Sequence, residues 1–110
     1  MPSAQNNACV VFVTAPDMTV AQRLARRLLE QKLAACVNVV PGMTSFFWWQ
    51  EKIDEQSETL LIIKTISAKL NALINGIKKE HPYEVPEIIA LPIVGGAEDY
   101  LQWLRDSVEK

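Results

Sequence analysis

From Ala35 to Thr65 the hydrophobic period is that of extended chain, and few folds accommodate so long a ribbon. Cys36-Val37-Asn38-Val39-Val40 reads as strand, Pro41-Gly42 interrupts it, and Thr44-Ser45-Phe46-Phe47-Trp48-Trp49 resumes it, so a bulge or kink is expected there and not an end. Gln50-Glu51 follows. The polar stretch Lys52 to Thr59 then becomes Leu60-Leu61-Ile62-Ile63-Lys64-Thr65, which predicts two long strands joined in one hairpin. The four consecutive aromatics Phe46 to Trp49 place two side chains on each face of their strand. Stacking on nucleobases would call for Lys and Arg around them, and these are missing, so burial against a neighbouring subunit is the better account.

The remaining segments supply what the hairpin must pack against. Cys9-Val10-Val11-Phe12-Val13 is a β-branched run that stops at Ala15-Pro16-Asp17. A helix from Met18 to Leu33 follows, with Thr19 and Gln22 in a capping-box pattern. Val20, Leu24 and Leu28 form its apolar stripe, and Arg23, Arg26, Arg27 and Glu30 its polar face. Ser67 suits the N-cap of a second helix striped by Leu70, Leu73, Ile74 and Ile77, which Pro82 stops just after His81. Pro86 to Ile93 reads as a last strand whose prolines place it at a sheet edge, and Gly95-Gly96 ends it. Tyr100, Leu101, Trp103, Leu104 and Val108 support a short terminal helix. The order β-α-β-β-α-β-α points to a ferredoxin-like α+β sandwich, with two helices on one face of a four-stranded antiparallel sheet.

That topology has consequences for chemistry. The first two strands run up and the last two down, so the end of the first strand, the start of the fourth and His81 meet at the upper end. Cys9 and Cys36 begin their strands at the lower end, and six residues of strand span ~20 Å, so neither cysteine is expected to share a metal with His81. Tyr83, Glu58 and Glu87 are expected to converge near His81 in a polar binding cleft, to which Trp49 is also assigned. His81 suits a metal ligand or a general base, and equally a cap at a helix C-terminus. No nucleophile with a partnered base stands out, so the chain is expected not to be an enzyme. No Cys-x-x-Cys metallochaperone loop occurs, and the two cysteines read as plain buried thiols.

At 110 residues the chain is one domain, read as a polar tail over residues 1–8 and a folded unit over residues 9–110. Eleven basic against thirteen acidic side chains leave a net charge of −2, with no electrostatic footprint for nucleic acid or a membrane surface. No apolar run is long enough to span a bilayer, and Met1 to Asn7 lacks the pattern of a signal peptide, so a cytoplasmic location is expected.

Several motifs together resemble the CutA family of divalent-cation tolerance proteins. They are Thr14-Ala15-Pro16-Asp17, Leu33 to Asn38 with Pro41-Gly42, Ser45 to Trp49, Glu58 with Leu60 to Thr65, His81-Pro82-Tyr83-Glu84-Val85-Pro86-Glu87-Ile88, and Tyr100 to Leu104, a match over residues 9–108. The resemblance implies a homotrimer similar to the nitrogen-regulatory PII signalling proteins, with copper binding and a part in the response to metal ions in bacterial members. Copper in those members is assigned to a cysteine late in the first strand and two adjacent histidines before Pro-Tyr. Here those positions hold Val13, Glu80 and His81. His81 and Glu80 are thus the metal-ligating candidates for copper or another divalent cation, and the lost thiolate weakens the case for Cu(I) more than for a borderline divalent ion. The expected function is a homotrimeric, copper-binding or divalent-metal-binding tolerance protein. The alternative is a trimeric interaction or small-ligand signalling scaffold without a physiological metal.

Overall fold

A computed structural model describes residues 7–109, so residues 1–6 of the expected tail lie outside the described residues. Four strands pair antiparallel in the order β2-β3-β1-β4: β1 (Ala8–Ala15), β2 (Cys36–Trp49), β3 (Lys52–Ile66) and β4 (Ile88–Pro92). Three helices complete the unit, α1 (Met18–Glu30), α2 (Leu70–Glu80) and α3 (Glu98–Glu109). β1 pairs antiparallel with both β3 and β4, and β2 with β3, so β1 and β2 run together against β3 and β4. This is the ferredoxin-like sandwich the element order predicts.

Strand alternation decides which residues become core. Val11, Val13 and Ala15 of β1 and Leu61 and Ile63 of β3 face one side, where Ala21, Leu24 and Leu28 of α1 and Leu73 and Ile77 of α2 close over them, all buried. Each large side chain contributes about 1.5–3 kcal/mol by leaving water. The opposite side of the sheet carries Val10, Phe12, Leu60 and Ile62, half-buried, with Val40, Ile89 and Leu91 exposed. At its lower end Ala8 and Ile66 pack with Leu101, Leu104 and Val108 of α3. The rest of that apolar face is uncovered within the protomer.

The long hairpin forms as the period requires. Its register shifts between Val40 and Met43, where Gly42 adopts φ 80°, so Pro41-Gly42 is a bulge inside one strand. Gln50 (φ 50°) and Glu51 (φ 65°) make a two-residue turn with both residues left-handed, although neither is glycine. The hairpin stretches the protomer to 47 × 25 × 23 Å. Trp48 lies opposite Ile53 and shares a face with Phe46, and these three are 72%, 66% and 68% exposed.

Local details depart from the sequence reading. Ala8, placed in the tail, opens β1. Asp17 caps α1, its Oδ1 accepting the Val20 N–H at 2.9 Å, in place of the expected Thr19–Gln22 box. The helix ends at Glu30 and not at Leu33: Lys32 turns left-handed (φ 59°), and the Leu33 N–H donates to the Leu28 carbonyl at 2.9 Å. This closure satisfies the last carbonyls and folds Leu33 back onto the core, which is why its apolar spacing imitates one more helical turn. Ser67 opens a 3-10 turn with no side-chain cap bond, and its N–H donates to the Asn7 carbonyl at 2.8 Å. β4 is shorter than Pro86–Ile93 but lies at an edge, where its Pro92 is tolerated.

Candidate functional site

The upper end of the sheet is built by a proline. Pro82 forces His81 out of helical geometry to φ −77°, ψ 135°, so α2 ends and the imidazole swings toward the end of β1. His81 is 8% exposed, and its Nε2 lies 2.7 Å from the Thr14 carbonyl oxygen. Its Nδ1 accepts the Tyr83 N–H at 3.1 Å. A carbonyl only accepts and an amide N–H only donates, so these two bonds fix a neutral ring with its proton on Nε2.

The chain then returns over the ring. The Tyr83 ring packs against His81 at a tilt of 47° with centroids 4.7 Å apart, and its hydroxyl donates to Glu58 Oε2 at 2.8 Å. Glu58, just beyond the bulge opposite Met43, is itself 8% exposed. Burial, then the hydrogen bond to Glu58 and the negative charges of Glu58 and Asp17, push the Tyr83 hydroxyl up to about 12. It therefore stays a proton donor at any physiological pH. The result is one connected path, Thr14–His81–Tyr83–Glu58, running from the end of β1 to β3.

Three of the residues expected in the cleft, Glu58, Tyr83 and His81, thus meet. Glu87 is exposed on the approach to β4 and makes no hydrogen bond to this path among the described residues. Trp49 stands at the hairpin tip opposite Lys52, six strand residues or ~20 Å beyond Met43, so it does not reach the cleft of its own protomer. Glu80 turns away from His81 and pairs with Arg27 of α1 at 3.5 Å. Sequence reasoning missed the Thr14 carbonyl and Arg27. A backbone acceptor leaves no signal in a pattern of side chains, and Arg27 looks like any solvated residue of a polar helix face.

Copper does not fit these residues within one protomer. The single lone pair of the neutral His81 ring is engaged by the Tyr83 N–H, the other nitrogen carries a proton, and Glu80 pairs with Arg27 instead of lying beside the ring. Among the described residues no three His, Cys, Asp or Glu side chains gather as a metal site would require. Cys9 lies at the lower end opposite Thr65 and Pro92, where burial pushes its thiol up, and Cys36 starts β2 opposite Lys64. No helix among the described residues is long and apolar enough to cross a membrane.

The family model of the CutA1 divalent ion tolerance protein matches residues 9–107. Protein CutA 1, chloroplastic, from Oryza sativa subsp. japonica is 50% identical over 101 residues, which cover 92% of this chain and 57% of that protein. The chain therefore spans little more than half the length of that relative. The divalent-cation tolerance protein CutA of Pectobacterium atrosepticum is 46% identical over 102 residues, 93% of each chain. Among solved structures, the periplasmic divalent cation tolerance protein CutA from Archaeoglobus fulgidus superposes with a TM-score of 0.89 at 42% identity, covering 92% of this chain and 98% of that one. The cytoplasmic location expected from the sequence is overturned by these relatives, one described as periplasmic and another as chloroplastic.

Proposed function

The chain belongs to the CutA1 divalent ion tolerance protein family, and from that premise we propose that it acts by binding, not turnover, as a homotrimer in the response to divalent metal ions. The observation that supports assembly is the uncovered apolar surface: Phe12, Ile62, Ile89 and Leu91 on the open side of the sheet, and the aromatic hairpin beyond it. A surface of this kind marks a protein interface. Because the described residues of one protomer offer no converged donor set, the ion meets donors from more than one copy. Cu(II), which heads the affinity order for nitrogen and oxygen donors, is the leading ion.

A second reading is favoured by the same missing donor set: a trimeric scaffold for a protein or small ligand, without a physiological metal. Calorimetric titration of the assembled protein with Cu(II), then with Zn(II), separates the two. Saturable uptake at a fixed ratio to the trimer supports the metal role. Heats of dilution alone leave the scaffold. Neither reading involves nucleic acid or a membrane, in keeping with the net charge of −2.

A further inference from the structure

We propose that His81 is a positioning residue: its ring straps the segment after α2 to the end of β1 and so sets Tyr83 against Glu58, and it holds no metal. The inference deepens the reading of the same end of the sheet, but it stands on hydrogen-bond geometry and survives if no metal is bound at all.

Both ring nitrogens are committed in complementary senses. Nε2–H donates to the Thr14 carbonyl, which ties the strap to β1, and Nδ1 accepts the Tyr83 N–H, which ties it to the following turn. The two contacts lie on either side of one rigid, nearly buried ring, so the position of Thr14 fixes that of the Tyr83 backbone. The Tyr83 side chain packs on the same ring and reaches Glu58. A cation at Nδ1 would displace the Tyr83 N–H and leave it unpaired. A cation at Nε2 would leave the Thr14 carbonyl without its donor and move the ring proton to Nδ1, where it would face the Tyr83 N–H, donor against donor. Either costs a hydrogen bond that the protomer already makes.

Two near-isosteric variants divide the roles of the ring. In His81→Asn the side-chain oxygen takes the place of Nδ1 and still accepts the Tyr83 N–H. In His81→Gln the amide nitrogen takes the place of Nε2 and still donates to Thr14, but the Tyr83 acceptor is lost. Amide exchange at Tyr83 should therefore stay near the wild-type rate in His81→Asn and accelerate about tenfold in His81→Gln, the worth of one part-buried hydrogen bond. The nuclear Overhauser contact between the Tyr83 ring and the Glu58 methylenes should weaken in both variants, since each breaks one of the two bonds through which the ring ties Tyr83 to Thr14.

Neither amide replaces an imidazole as a transition-metal ligand, so a ligand role for His81 would make the two variants equally deficient in metal uptake. Nitrogen-15 spectra of the unmodified protein guard against a variant that does not fold. Stoichiometric Zn(II) should leave the His81 ring resonances in the Nε2–H pattern. A Zn(II)-dependent shift of those resonances, or equal loss of Cu(II) uptake in both variants with Tyr83 exchange unmoved, overturns the proposal.

Discussion

The two ends of the long hairpin are finished in opposite ways. Near the bulge, Glu58 is covered by Tyr83, Tyr83 by His81, and His81 is bonded at both nitrogens, so the polar groups there find their partners inside one protomer. At the tip, Phe46, Trp48 and Ile53 face solvent. The difference teaches that one ribbon serves two purposes. Its proximal half packs into the core and polar path of its own protomer, and its distal half leaves an apolar, aromatic surface open to solvent.

Substitutions can push the two halves apart. The largest loss of protomer stability is expected where sheet and helix meet: Leu24→Ala should destabilise by about 2–5 kcal/mol in denaturant titration, because the cavity it leaves is closed on all sides. Trp48→Ala should remove about 2 kcal/mol or more from assembly for each copy. It should leave the thermal stability of the dissociated protomer almost unchanged. Equal effects of the two substitutions on an isolated protomer would erase the contrast.

Tyr83→Phe should cost about 1.5 kcal/mol by depriving the Glu58 carboxylate of its donor. It should also change the alkaline limb of the stability curve. With the hydroxyl near 12 in the folded chain and at its ordinary value of 10 when unfolded, the stabilisation it carries is complete below pH 10 and is lost as pH rises through 12. Thermal unfolding at pH 9 and pH 11 should show a drop in the wild type that the phenylalanine variant lacks at this site.

The smallest effect sits at the turn. Gln50→Asn with Glu51→Gly should stabilise by about 0.5–1 kcal/mol, since both positions are left-handed and the new pair suits them. Hydrogen exchange along Trp49 and Lys52 would record it.

What was legible in the sequence follows the same division. Periodicity revealed the hairpin, and Pro41-Gly42 its bulge, because backbone chemistry at those residues admits few conformations. Leu33 misled, since an apolar residue folded back by a left-handed Lys32 has the spacing of one still in the helix. At the site, Pro82 announced where α2 ends, and topology brought His81, Tyr83 and Glu58 together. That same neighbourhood made Glu80 look like a second donor beside His81. Its adjacency along the chain is undone by the helix geometry, which turns it toward Arg27 while Pro82 turns His81 toward Thr14. Trp49 differs for a simpler reason: strand length carries it away from the cleft of its own protomer.

The central claim, a self-sufficient protomer with an unfinished hairpin and sheet face, is tested most directly by sedimentation equilibrium at micromolar concentration. A trimer gives a mass three times that of the 12.4 kDa chain, kept in His81→Asn and reduced in Trp48→Ala. A wild-type mass of one chain would contradict it.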